Sequence, residues 1–245
     1  MNCNVPGGFN VPDEAVRYIL FQRTAYLRLP VTSLYRHLFQ RLPFETPLYN
    51  PAVAVESRVA RDRVKTLYQR DMLAEFDTFR EALPDGCAAI LDIGCGVGGI
   101  DVLLDRHYRP RQPLIYLLDR TETSRRIYYL MRRRPAFYNS LVVARDLLRS
   151  NGIPEERIHL VAATDRFDIP VKGRKFDLII SLLSWGFHYP VESYLDQAAD
   201  RLTDTGRIIL DIRRGTGGVD VLRRRFASVE VVWESEKFRR VAASF

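Results

Sequence analysis

Lysine is nearly missing from this chain: of 37 basic side chains, 4 are lysine and 33 are arginine. Set against 30 acidic residues they leave a formal charge of +7. Cysteine is scarce too, and Cys3, Cys87 and Cys95 form no CxxC pair, which excludes a disulfide framework and makes a reducing cytoplasm the expected compartment. No stretch of 18 apolar residues occurs, so no membrane span is expected. The opening Met1-Asn2-Cys3-Asn4 has neither a basic start nor an apolar continuation and does not read as a secretory signal. Repeats and low-complexity tracts are absent. What is present is 47% hydrophobic and 27% charged residues, a balance that excludes disorder as the main state. The arginines fall in short clusters (Arg132-Arg133-Arg134, Arg213-Arg214, Arg223-Arg224-Arg225, Arg239-Arg240) beside helix ends and turns. There a solvated surface competes with anion binding as the explanation.

Two textures divide the chain. Residues 1–83 read as a helical cap or lid. Val16, Ile19, Leu20 and Leu27 share one helix face ended by Pro30. Leu34, Leu38, Phe39 and Leu42 mark a second helix closed by Pro43, and a longer helical pattern runs from Val53 to Leu83. After the Pro84-Asp85-Gly86 turn, residues 84–245 alternate strands with helices. Strands are expected at 88–93, 114–118, 158–162, 176–182 and 207–212. Helices are expected from Ile100, around Ile127, Leu130 and Met131, from Phe137 to Ser150, and from Val191 to Leu202. Val229–Trp233 and Phe238–Ala243 read as a closing hairpin. This is an α/β pattern: a Rossmann-like, mostly parallel sheet of seven strands with helices on both faces and an antiparallel terminal hairpin. In such sheets ligands sit at the carboxyl ends of the strands.

The segment Leu91-Asp92-Ile93-Gly94-Cys95-Gly96-Val97-Gly98-Gly99 follows one strand and opens a helix, the context of a ligand-cradling loop. Gly94, Gly96 and Gly99 alone also fit a dinucleotide fingerprint. Two acids favour another cofactor. Asp92 ends a buried strand where a dinucleotide fold carries an apolar residue, and it needs a donor such as the ammonium of an amino-acid moiety. Asp119 ends the next strand, where a carboxylate accepts from ribose hydroxyls.

Asp-x-Gly-x-Gly-x-Gly with this spaced acid resembles the class I S-adenosylmethionine (SAM) dependent methyltransferases, over residues 85–245. The resemblance implies SAM as cofactor, with Gly94, Cys95, Gly96 and Gly98 along its methionine and ribose portion and Asp119 on the ribose. It places Arg120 beside the adenine, and Thr164, Asp165 and Ser181 in the same cofactor-binding set. Asp165 matches an acid that meets the adenine amino group, and its competing role is to cap the next turn. Cys95 reads as a small loop side chain rather than a reactive thiol.

The stretch Ser181-Leu182-Leu183-Ser184-Trp185-Gly186-Phe187-His188-Tyr189-Pro190 follows the fourth strand and, in this fold, borders the methyl acceptor. It lacks an Asp/Asn-Pro-Pro-Tyr/Phe tetrapeptide, a Pro-Cys pair and an acidic strand end. These absences argue against base amino-methylation of that style, cytosine C5 chemistry and a magnesium-assisted mechanism, so no metal is expected. In-line displacement helped by positioning and a base remains. His188 is the candidate base and Tyr189 the second catalytic candidate. Trp185, His188, Tyr189, Tyr138 and Asn139 are the candidate acceptor-binding residues. Together with Phe137-Tyr138-Asn139-Ser140 and Asn151-Gly152-Ile153-Pro154, the stretch resembles bacterial sugar O-methyltransferases over residues 85–215, and the first ~80 residues share no such likeness.

The expected function is methyl transfer to a hydroxyl, or second an amine, of a small polar metabolite or sugar. A small-molecule substrate is expected as partner, with a homodimer through the N-terminal helices beside it. Nucleic acid is not the expected partner; an RNA-directed methyltransferase and a non-catalytic SAM-binding or partner-docking protein stand as alternatives. Tyr68, Arg61 and Arg58 lie near one another on a helix and are candidate contacts to the methionine carboxylate, with amphipathic packing the favoured role.

Overall fold

The computed structural model describes residues 7–28, 49–123 and 138–245. Seven strands form the main sheet: β1 (Ala89–Ile93), β2 (Leu114–Asp119), β3 (Ile158–Ala162), β4 (Phe176–Ser181), β5 (Leu202–Arg213), β6 (Ser228–Glu234) and β7 (Phe238–Ser244). Their spatial order is 3-2-1-4-5-7-6. The first five pair in parallel, and β7 runs antiparallel between β5 and β6. This is the expected Rossmann-like sheet with its terminal hairpin. The order reverses between β1 and β4, so the crevice beyond β1 is the natural ligand position.

Around the sheet lie α1 (Asp13–Gln22), α2 (Tyr49–Val59), α3 (Arg61–Asp77), α4 (Gly99–His107), α5 (Leu141–Ser150), α6 (Leu195–Arg201) and α7 (Gly218–Arg223). β1 is buried at all five positions, as a central parallel strand covered on both faces must be. Alternate residues feed two cores. On one face Ile90 and Ile115 pack with Leu104 and Leu148, and with Ile19, Leu20, Val64 and Met72 of the N-terminal helices. On the other, Leu91, Leu118 and Ile179 pack with Ala198, Leu222 and Trp185. The N-terminal helices therefore share one continuous core with α4 and α5, which seats α1 and α3 directly against the glycine loop.

Several expected elements differ in extent. The long helix 53–83 is two helices, because Ala60 leaves the helical region (φ −115°, ψ 18°). The helix read from Phe137 begins at Leu141, where Ser140 Oγ accepts from Val143 N–H at 3.4 Å, an N-cap that fixes the start. The helix read from Val191 begins at Leu195 after a single 3₁₀ turn. Ser184–Tyr189 is extended where a loop was expected, and α7 was not anticipated. The helix around Leu34–Leu42 and the one carrying Ile127, Leu130 and Met131 fall outside the described residues. Among the described residues no helix is long and apolar enough to cross a membrane.

Candidate cofactor and acceptor site

Gly94, Gly96 and Gly98 all adopt left-handed backbone (φ 78°, 56° and 79°), a region costly for residues with a Cβ. The loop so formed is anchored at both ends of the crevice. Gly94 N–H donates to Leu118 O at 2.7 Å, and Gly96 N–H donates to Asp119 Oδ2 at 2.9 Å. Asp119 also accepts from Asn139 Nδ2 at 2.9 Å and from Arg120 N–H at 2.7 Å. Burial nevertheless pushes its carboxyl up to about 6, these bonds pulling the other way.

Beneath the loop lies a second feature, partly invisible to the sequence reading. Asp92 at the end of β1 is 5% exposed, and Asp101 in the first turn of α4 is fully buried. Among the described residues no cation lies within ion-pair distance of either acid, and the only side chain that meets each carboxyl is the other. The two carboxyls can satisfy each other only by sharing a proton. Burial first, then the Asp101 and Asp119 charges, hold Asp92 well above the carboxylate range. Burial pushes Asp101 up to about 7. Asp101 was missed because an acid in a first helical turn reads as ordinary dipole complementation. Its position three residues beyond the last loop glycine, Gly98, is the signal that was there to find.

Side chains of the chain itself cover the loop. Ser184 lies where a Cβ on Gly94 would stand, and Gln22 Oε1 is 2.9 Å from the corresponding position on Gly96. Gln22 Nε2 donates to Asn139 Oδ1 at 3.4 Å. The buried Tyr68 hydroxyl accepts from Gly99 N–H at 3.1 Å, so Tyr68 does reach the mouth of α4. Arg61 instead pairs with Asp13, and Arg58 donates to Ala54 O. Arg23, also unanticipated, lies over the Tyr68 ring and pairs with Glu75 at 2.7 Å.

The other expected residues are placed as follows. Cys95 is half-buried, and burial with the surrounding acids raises its thiol well above the ordinary value, so it stays a neutral loop side chain. Arg120 and Asp165 pair with each other across the ends of β2 and β3. Thr164 Oγ1 donates to Asp168 and accepts from Arg166 N–H. Ser181 is fully buried. Its hydroxyl donates to Ile93 O at 2.6 Å and accepts from Trp185 N–H at 3.0 Å, stapling β4 to β1. Asn139 meets Asp119 rather than open space, and the Tyr138 side chain lies outside the described residues.

Trp185 was expected on the acceptor. The structure encloses it instead: it is fully buried, and its Nε1 donates to Val191 O at 2.7 Å. The extended run of 184–189 is the reason, since alternation sends Trp185 into the core while Ser184 turns to Gly94. His188 is an exposed residue further along this segment, its ring edge-on to Phe187. Partial burial of the ring, then the Arg213 charge, lower its pKa. Tyr189 packs edge-on against Phe167, and burial raises its phenol. The turn into the segment is tight: Leu183 has φ 55°, and its N–H donates to Asp211 Oδ2 at 3.1 Å.

Asp92, Asp101 and Asp119 beside the left-handed loop form an acceptor set that fits the ammonium and ribose hydroxyls of SAM. A carboxyl pair with no cation beside it among the described residues fits an ammonium group, and a third carboxyl stands one strand away. No protein-family model and no curated protein matches the chain. Among solved structures it is similar to a 16S rRNA N2 G1207 methyltransferase of T. thermophilus in complex with AdoMet and guanosine, at 16% identity and a TM-score of 0.48 over 71% of this chain. That match spans 43% of the T. thermophilus chain, so less than half of its length is represented here. A methyltransferase from Pyrococcus furiosus shares 15% identity at a TM-score of 0.48, over 90% of this chain and 96% of that one. The precorrin 8w decarboxylase of Methanobacterium thermoautotrophicum shares 16% identity at 0.49, over 72% and 90%. These are likenesses of arrangement and say nothing of what this chain binds.

Proposed function

We propose that the chain is a SAM-dependent methyltransferase acting on a hydroxyl of a small polar metabolite or sugar. The observation that carries this reading is the Asp92–Asp101 pair. Two buried carboxyls with no cationic partner among the described residues, under a loop of left-handed glycines, call for a ligand that brings a positive charge to that point. A nicotinamide dinucleotide presents pyrophosphate at such a loop, which two acids would repel.

In this reading Asp92 and Asp101 hold the amino-acid end, Asp119 holds the ribose, and Asn139 fixes the Asp119 carboxylate. The cofactor supplies an electrophilic methyl group when bound. Gln22 and Tyr68 cover the loop and exclude water from it. His188, its pKa lowered by burial and Arg213, is neutral at pH 7 and so able to accept the proton an acceptor hydroxyl releases. The likeness of 181–190 to sugar O-methyltransferases supports the hydroxyl over the amine.

Calorimetric titration with SAM and with NAD tests the reading. Saturable micromolar binding of SAM, absent in Asp92→Asn and Asp119→Ala and absent for NAD in all forms, is the expected outcome. Binding of NAD in place of SAM would overturn it. His188→Ala should leave SAM affinity unchanged and lower turnover about 10²-fold or more; unaltered turnover would remove His188 as the base.

A further inference from the structure

At the carboxyl end of β5 the chain runs Arg213-Arg214-Gly215-Thr216-Gly217-Gly218 into α7. With Arg223 of α7 and Arg239 of β7 it bounds a cleft of about 200 Å³. Four guanidinium groups meet here and only two carboxylates offset them. Arg214 and Arg239 share Glu234, at 2.6 Å and 3.0 Å, and Arg223 pairs with Asp220, which also lines the cleft, at 3.2 Å. Arg213 has no carboxylate within ion-pair distance among the described residues. Its Nε donates to Phe187 O at 3.1 Å, and its guanidinium lies 4.4 Å from the centre of the Phe187 ring. These two contacts hold the guanidinium plane fixed while its two terminal nitrogens lack an acceptor among the described residues.

Like charges on a surface normally spread apart in water; here strand register and a tight turn converge them. Arg239 is paired in register with Ile212, one residue before Arg213, which fixes their proximity in the sheet itself. Two uncompensated positive charges match one phosphate dianion, and fixed guanidinium forks match its oxygens better than lysine would. The volume suits a single group rather than a run of backbone phosphates.

We propose that this cleft binds the phosphate of a small phosphorylated acceptor. It lies on the edge of the sheet that carries the glycine loop, and Ser184–Tyr189 joins the two: Ser184 touches Gly94 and Phe187 touches Arg213. Two residues, Trp185 and Gly186, separate these contacts, three steps of strand or about 10 Å, the scale of one sugar ring with its phosphate. Where the rest of the acceptor lies rests on the methyltransferase reading; the anion site does not.

The test titrates the full chain with inorganic phosphate, a hexose 6-phosphate, acetate and a short single-stranded RNA, following calorimetric heat and backbone amide shifts of residues 213–218. The hexose phosphate should bind at least about tenfold more tightly than acetate, with inorganic phosphate between them. Arg213→Gln combined with Arg239→Gln should abolish this binding and leave SAM affinity unchanged. If that pair fails to fold, Arg223→Gln alone should weaken the hexose phosphate several-fold. Equal affinity for acetate, undiminished binding in the variants, or an Arg213-dependent affinity for RNA with none for the hexose phosphate would each overturn the proposal. Arginine-dependent phosphate binding in a chain that ignores SAM would leave the cleft standing and remove the methyltransferase; SAM binding without phosphate binding would do the reverse.

Discussion

Two buried acidic sites lie at the carboxyl edge of the same sheet, and they are built in opposite ways. Asp211 near the end of β5 is fully buried and is gripped by Arg240, itself 1% exposed, through Nε at 2.7 Å and Nη2 at 2.8 Å. Arg240 is held in turn by Thr78 Oγ1 and by the rings of Phe79, Trp233 and Phe238. Burial keeps the Asp211 carboxyl above its ordinary value, with Arg240 and Leu183 N–H pulling it down. At Asp92 every neighbour pushes the same way, upward. Among the described residues the fold supplies a cation to one site and none to the other. A buried acid with its own arginine is architecture, while the pair with none is what the proposed ligand seat rests on.

The sharpest way to break this comparison is to remove the arginine. Arg240→Ala leaves Asp211 buried and unpaired and frees Thr78 and the C-terminal turn of α3 from the sheet. A loss of about 3–5 kcal/mol is expected, read as a fall in the urea midpoint at constant slope. A loss under about 1 kcal/mol would mean that the pair is solvated and that the contrast is false.

Asp101→Asn should act with the opposite sign. The amide donates to Asp92, ends the like-charge contact and stabilises the chain at pH 8 by about 1 kcal/mol or more, while weakening SAM. The pH dependence carries the same message. Asp101 and Asp119 keep protons in the folded chain up to about 7 and about 6 that they lose near pH 4 when unfolded. Their contribution is therefore fully present below the unfolded value and is lost as the pH rises through 6 to 7. Thermal melts of the wild type should fall from pH 5 to pH 8, and the fall should shrink in Asp101→Asn. A wild-type curve that rises across this range would show the pair to be ionised and already partnered.

The amino-acid pattern revealed one half of this picture far better than the other. Alternating apolar runs separated by turn signals fixed the sheet, because a strand buried on both faces leaves no choice of residue. Asp92 and Asp119 were visible because each interrupts such a run at its end. Arg240 was not, since an Arg239-Arg240 pair on a closing hairpin reads as a solvated edge; only the register that sets Arg240 opposite Asp211 reveals the bond. Trp185 was misread for a related reason. Whether the residues after β4 form a loop or an extended run depends on packing against β5, and Gly186 allows that run by letting the backbone pass Asp211 O closely.

Ser184 joins the two sites and offers the finest test. Its predecessor Leu183 is tied to Asp211, and its own side chain rests on Gly94. If the loop is a ligand seat covered by the protein's own groups, Ser184→Gly trims the cover without touching a carboxyl. SAM affinity should then rise about two- to fivefold, a gain below 1 kcal/mol, with stability lowered by about 0.5–1 kcal/mol for the added glycine. Ser140→Gly, a cap change on the opposite side of the crevice, should lower stability by a few tenths of a kcal/mol and leave SAM affinity unaltered. A fall in SAM affinity in Ser184→Gly would recast the hydroxyl as a ligand contact, extending the cofactor seat toward β5 and tying the Asp211–Arg240 pair to binding as well as to architecture.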